Sequence, residues 1–193
     1  MRTRTTARRL PLVIALATAL ASCASPDNGG PTPQTGESAT EETTQRVAVA
    51  ELQPTSGHDA RGKVVFREVD DGVEVHAELE SLAEGAHGFH VHEKGDCSAE
   101  DASSAGGHFA PHGSPHGAPD DPADQRHAGD LGNVMADAEG NAVYDRVDPL
   151  LSLSGEHSIV GRAVIVHAER DDLETQPTGA AGARVACGVI ELQ

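Results

Sequence analysis

The chain has 193 residues, only 2% of them aromatic, and sets 31 Asp and Glu against 14 Lys and Arg, for a formal net charge of −17 with neutral histidines. Binding a phosphate backbone requires clustered Lys and Arg, so this balance argues against a nucleic-acid ligand. Its negative field favours solubility and resists anionic partners at long range, and the length suits one ordinary domain plus accessory segments.

Arg2, Arg4, Arg8 and Arg9 precede an apolar run from Leu10 to Ala21. A basic start followed by an apolar core too short to span a bilayer is the pattern of a secretory signal, here residues 1–22. It leads into "LASC", Leu20 to Cys23, which resembles the bacterial lipobox, whose cysteine becomes the lipid-modified first residue after cleavage. An ordinary signal peptide with an incidental cysteine is the alternative. The adjacent Arg8 and Arg9 leave twin-arginine export open beside the general route. This reading places the protein outside the cytoplasmic membrane, anchored to an envelope membrane through Cys23.

Residues 23–45 carry "ASPDNGGPTPQTGESATEETTQ", which has no apolar periodicity and little to bury, and read as a disordered tether. The folded domain then runs from 46 to 193, about 148 residues. The leader holds four of the basic residues and none of the acidic ones, so the rest sets 10 basic against 31 acidic groups, formally −21. Beyond Cys23 two cysteines remain, Cys97 and Cys187, an even pair in a compartment where disulfides persist. Closing that span is worth roughly 4 to 5 kcal/mol in the chain-entropy model. Two free thiols are the alternative, disfavoured by an oxidising compartment.

Within the domain, "RVAVAEL" from Arg46, "GKVVFREV" from Gly62 and "VEVHAELE" from Val73 alternate or cluster β-branched residues, and "DDG" joins the second and third as a hairpin. "HGFHVH", "GNVMADAEGNAVYDRV" with its turn at "AEGN", "LLSLSG", "GRAVIVH" and "RVACGVIEL" continue the pattern. Eight short strands punctuated by Gly, Asp and Asn predict an all-β domain, an antiparallel sandwich or barrel, with no long helical pattern in competition. Phe66, Phe89, Phe109 and Tyr144 are the only aromatic residues, so the core must be mostly Val, Ile, Leu and Ala.

Two segments break this rhythm, one from Cys97 to Leu131 and one from Ala168 to Ala183. Loops this long in a compact domain are usually functional or disordered, and the first contains four histidines. His90 and His92 stand two apart on a predicted strand and so project to one face. His108 follows in "GGHFAP", then His116 and His127, with Asp130 three residues on, and His167 ends "GRAVIVH". Imidazole and carboxylate converging at strand ends and in one loop point to metal ligation.

The motifs "GFHVHEKGD", "GGHFAP", "RHAGDLGNV", "LSLSGEHSIVGRAVIVHAERDDL" and "GARVACGVI" resemble those of the copper-zinc superoxide dismutases over nearly the whole domain. The resemblance implies a Greek-key, immunoglobulin-like barrel with two functional loops, dismuting superoxide to oxygen and hydrogen peroxide through a redox-cycling copper bridged to a structural zinc. It assigns copper to His90, His92, His108 and His167, and zinc to His108, His116, His127 and Asp130, with His108 shared as the bridge. Asp171 corresponds to the carboxylate that links a copper ligand to a zinc ligand, and Arg184 to the guanidinium that attracts and orients the superoxide anion. In the resembled proteins His87 packs structurally, while His58, His76 and His157 read as surface or locally hydrogen-bonded groups. His112 lies between two zinc ligands and reads as a solvated loop residue with the capacity to capture a stray metal ion.

The segment between His92 and His108 is where the resemblance is loosest. Relatives use it for subunit contacts, so a homodimer is an open expectation. Beside the resembled proteins the loop before Arg184 looks short and lacks their usual lysine, with Pro177 nearby instead, so capture of the anion rests mainly on Arg184 and the metals. A copper- and zinc-buffering envelope lipoprotein is the alternative function, and it gives no role to Arg184 or Asp171.

Overall fold

The computed structural model describes residues 45–193. The leader, Cys23 and the tether as far as Thr44 lie outside the described residues. The elements are β1 (Val47–Pro54), β2 (Arg61–Val69), β3 (Gly72–Glu80), β4 (Gly85–His92), β5 (Asp130–Ala136), β6 (Ala142–Asp148), β7 (Ala163–His167), β8 (Arg184–Val189) and β9 (Glu191–Leu192). The only helical element among the described residues is a three-residue 3-10 turn, Ser103–Ala105. Every strand pairing is antiparallel, and the neighbour order β2-β3-β6-β5-β4-β7-β8-β1 is closed by pairing of β1 with β2. Adjacency of β3 with β6 and of β4 with β7 supplies the Greek-key crossings of an eight-stranded barrel, and the closure removes exposed sheet edges.

The hairpins form where the turn residues lie. β2 and β3 pair without interruption from Arg61↔Glu80 to Val69↔Gly72, and β3 alternates so that Val73, Val75, Ala77 and Leu79 are buried while Glu78 and Glu80 face water. The β5–β6 turn is held by the Asp137 carboxylate, which accepts from the backbone N–H of Glu139 and of Asn141. The core is aliphatic, with Phe66 and Phe89 fully buried within it. Tyr144 meets Phe89 edge to face at 5.1 Å and donates its hydroxyl to the Leu131 carbonyl.

β4 departs from alternation: all six residues from His87 to His92 are buried. Phe89 and Val91 belong to the core, and the intervening His90 and His92 therefore point outward. Their burial comes from the two long loops, 93–129 and 168–183, which cover this side of the barrel.

Two expectations need correction. "LLSLSG" is not a ladder strand, although its Leu151 and Leu153 are buried in alternation. The segment folds back on itself, Ser152 N–H donating to the His157 carbonyl and Ile159 N–H to the Ser152 carbonyl. Its period of two therefore serves a local loop. "RVACGVIEL" is divided at Ile190, whose N–H and C=O both turn to the Gly161–Arg162 corner, so that β8 pairs with β7 while β9 pairs with the start of β1.

Candidate metal centre

Local irregularities aim the ligands. The β4–β5 register shifts between Gly88 and His90, and the β7–β8 register shifts between Val166 and His167. Bulges of this kind bend a strand and re-aim one side chain, here placing a histidine at each shift. His108 enters from the loop by a bridge opposite His92, fixed by Phe109 N–H to the Val91 carbonyl at 2.8 Å. Gly129 threads the same place, taking the Val91 N–H on its carbonyl and donating to Phe109, and any Cβ there would collide with Val91 O.

Two groups of ligand-type side chains result, His90, His92, His108 and His167, and His108, His116, His127 and Asp130. Within each, the available ligand atoms lie within 4.8 Å of one another, and all seven residues are buried. His108 belongs to both.

In the first group each ring uses one nitrogen to anchor itself. His90 Nε2 donates to Asp171 Oδ2 at 2.7 Å, His92 Nδ1 to the Gly106 carbonyl at 3.0 Å, and His167 Nδ1 to the Gly182 carbonyl at 3.2 Å. The opposite nitrogens are left over. His90 Nδ1 and His108 Nε2 are buried without a hydrogen-bond partner, and His92 Nε2 lies 3.4 Å from His167 Nε2. Because Nδ1 of both His92 and His167 carries the proton, that last contact sets two lone pairs against each other, an arrangement a cation would stabilise. Burial pushes the imidazole pKa down in every ring, His90 and His92 below the ordinary value, His108 to about 4 and His167 to about 3. Neutral rings are ligand-ready. Four imidazole nitrogens suit copper in either oxidation state.

In the second group Asp130 Oδ1 is the focus, 2.8 Å from His108 Nδ1, 3.0 Å from His116 Nδ1 and 3.2 Å from His127 Nδ1. His108 Nδ1 and His127 Nδ1 are 3.3 Å apart. A tetrahedron with zinc-like bonds of 2.0–2.1 Å has edges of about 3.3 Å. These four atoms are therefore close to a closed zinc-type set. The other carboxylate oxygen is held by the N–H groups of Gly117 and His127. Burial opposes a charge on Asp130, but contacts with His108, His116 and His127 outweigh it and hold its pKa well below the usual carboxylate range. For His116, burial lowers the pKa, and its contacts with Asp130 and Asp171 overcome that and lift it to about 9. This side of the centre favours a positive charge.

Asp171 joins the groups: its Oδ2 takes His90 and its Oδ1 takes His116 Nε2 at 3.0 Å. The carboxylate is fully buried. Arg184, half-buried at the start of β8, donates from its two terminal nitrogens to the carbonyls of Ala102 and Gly106, both at 2.5 Å, and Gly106 O also anchors His92. Burial lowers its pKa and nearby Asp101 raises it. The disulfide between Cys97 and Cys187 fastens that same loop to β8, three residues beyond Arg184.

The remaining histidines stay apart from both groups. His87 places its ring nitrogens 2.8 Å from the carbonyls of His167 and Ala83, and His76 pairs with Asp145 at 2.6 Å on the surface. His112 is exposed and meets His157.

Sequence reasoning missed four supports. Asn133 clamps Asp171, its Oδ1 accepting from the Asp171 N–H and its Nδ2 donating to the Asp171 carbonyl. Gln176 clamps His116 in the same two-way manner. Gly179, at φ 65°, lies where any Cβ would overlap the Asp171 carboxylate and come within 2.7 Å of His116 Nε2. Arg126 is buried in a two-pronged pair with Asp148, both bonds 2.9 Å, while its other terminal nitrogen reaches the carbonyls of His127 and Asp130. Asn133 left a faint signal, as a polar residue inside an apolar strand. The other three left none.

The family described as copper/zinc superoxide dismutase (SODC) matches residues 60–190. The chain is 44% identical over 135 residues to the extracellular superoxide dismutase (Cu-Zn) of Caenorhabditis elegans, an alignment that covers 67% of this chain and 60% of that protein. It thus spans about 60% of the length of that curated relative. The crystal structure of the clock protein EA4 aligns with a TM-score of 0.71 and 44% identity, covering 78% of this chain and 97% of that one.

Proposed function

Since the chain belongs to the copper/zinc superoxide dismutase family, we propose that it is an exported enzyme that converts two superoxide anions and two protons into oxygen and hydrogen peroxide. His90, His92, His108 and His167 would hold copper, and His108, His116, His127 and Asp130 would hold zinc. When bound, copper supplies the one-electron couple and zinc a fixed positive charge.

The chain's own residues supply the rest. Arg184 offers a guanidinium pinned by two carbonyls, which draws in and orients a small anion without spending its own freedom on arrival. Asp171 fixes the rings of His90 and His116 together, so a shift at one is resisted by the other. Peroxide leaves fully protonated, so protons must reach the reduced substrate. His108 Nε2 is the atom at which the chain can hold one while Nδ1 still faces Asp130. The single observation that carries the reading is this ring, which belongs to both ligand groups, with Nδ1 beside Asp130 and Nε2 buried and unpartnered.

The position of Cys23 at the end of the leader supports a lipid anchor, and the Cys97–Cys187 disulfide supports an oxidising compartment. Among the described residues no helix is long and apolar enough to cross a membrane. Metal analysis of the purified chain, paired with superoxide consumption in wild type and Arg184→Ala, tests the proposal, and sedimentation of the same samples reads subunit association. One copper and one zinc per chain with rapid dismutation is expected. Bound metal without dismutation would leave the buffering function in its place.

A further inference from the structure

His112 and His157 meet on the surface, outside both buried groups. Their Nε2 atoms are 2.8 Å apart and their ring centroids 4.8 Å apart, inside the 4.0–6.4 Å range of the rings clustered in the buried centre. His157 is set in place beforehand: its Nδ1 donates to the Leu150 carbonyl at 3.0 Å, and its backbone carbonyl accepts from Ser152 N–H. With Nδ1 protonated, the Nε2 of neutral His157 is a bare lone pair directed at His112. His112 stands in the Ala110–Gly113 turn, four residues after His108 and four before His116. A hydrogen bond between two imidazoles where water competes contributes little, about 1 kcal/mol or less. Two Nε2 donors at this separation have instead the bite of a right-angled chelate, whose nitrogens lie about 2.9 Å apart for bonds of 2.0–2.1 Å. The surplus of acid over base in the domain concentrates divalent cations around it.

We propose that His112 and His157 form a third, exposed and exchangeable metal site, taking Cu(II) in preference to Zn(II), between the loop that carries the shared histidine and the β6–β7 connection. Two imidazole nitrogens spaced for adjacent coordination positions, with the others open to water, match the tetragonal preference of Cu(II), and Cu(II) outranks Zn(II) at nitrogen sites. The site stands apart from the buried centre and does not depend on that centre's activity.

The test uses the full chain loaded with copper and zinc, dialysed against Cu(II) and, separately, Zn(II) at equal low concentration. Bound metal is measured by elemental analysis in wild type, His112→Ala, His112→Gln and His157→Gln, with the copper environment read by electron paramagnetic resonance. Wild type should retain one Cu(II) per chain more than each variant, with a tetragonal nitrogen-ligated signal that the variants lack, and should retain less Zn(II). Equal Cu(II) in wild type and all variants overturns the proposal, whether the extra metal is absent or held elsewhere. His112 is exposed, and His112→Gln keeps a polar side chain, so its thermal melt should match wild type. Because the readout is a difference between wild type and variant, it remains legible even if the buried centre fails to load.

Discussion

Two ion pairs at opposite ends of β3, one on Glu80 at its end and one on Asp148 facing Val73 at its start, show how differently the same chemistry behaves. Arg61 meets Glu80 at 2.7 Å on the β2–β3 hairpin, with both side chains more than half exposed. Arg126 meets Asp148 at 2.9 Å beneath the long loop, with exposures of 1% and 0%. The first sits in high dielectric and restrains two mobile side chains for little gain. The second has lost its water, so each partner depends on the other, and through the His127 and Asp130 carbonyls the ligand loop depends on both. Alternating strands with open outer faces make one side. Strands covered on both faces, with charge buried beneath the loops, make the other.

The sharpest way to break this contrast is Arg126→Met. It leaves buried Asp148 with only the Arg146 contact at 3.3 Å and the Leu150 N–H at 2.9 Å, and should cost on the order of 3 kcal/mol in a denaturant titration. Arg61→Ala should cost less than about 0.5 kcal/mol in the same titration. Equal losses would show that the covered side is not special.

Next in size is the pair Cys97→Ser with Cys187→Ser. Opening a cross-link that spans 90 residues should cost about 2 to 5 kcal/mol, and it frees the loop whose carbonyls hold Arg184. The loss of kcat/KM should therefore exceed what the fall in folded fraction explains, which stopped-flow superoxide decay on folded protein can check.

Arg184→Ala should retain fold and metals while lowering kcat/KM roughly 10- to 100-fold. Added salt should slow the wild type, because the nearby guanidinium dominates capture once the net negative field is screened beyond about 8 Å. In the variant the slowing should vanish or reverse. A wild-type rate that rises with salt would sink this assignment.

The smallest effect belongs to the open side. Its contacts with Asp145 raise the His76 pKa against the modest opposition of burial. A folded-state pKa above the unfolded 6.5 gives stability that is fully present below that value and fades as pH rises through the folded pKa. His76→Gln should then cost a few tenths of a kcal/mol at pH 6 and nothing measurable at high pH, since Asp145 is 70% exposed. An NMR titration of His76 gives the midpoint directly.

The two sides also differ in how far they can be read without coordinates. Hairpins announce themselves locally: "DDG" and "AEGN" sit at their turns, and the alternation in β3 names its own core residues. The ligands were legible because His90 and His92 share a strand face and the others resemble known motifs. The scaffolding behind them was not. Gln176 reaches His116 across 60 residues and Asn133 reaches Asp171 across 38, contacts set by loop paths that no short-range pattern encodes. "LLSLSG" misled because alternation reports only which side chains go inward. It does not say whether the backbone finds a neighbouring strand or turns back on itself.

The grip on Arg184 comes from the main chain, through the carbonyls of Ala102 and Gly106, and every amino acid supplies that same oxygen. Point changes at exposed Ser103 can therefore accumulate without loosening the guanidinium, whereas the Ser104 hydroxyl braces the loop between Asp96 O and Ala99 N–H. Adding or deleting a single residue there would shift both oxygens at once, so this stretch is freer in spelling than in length.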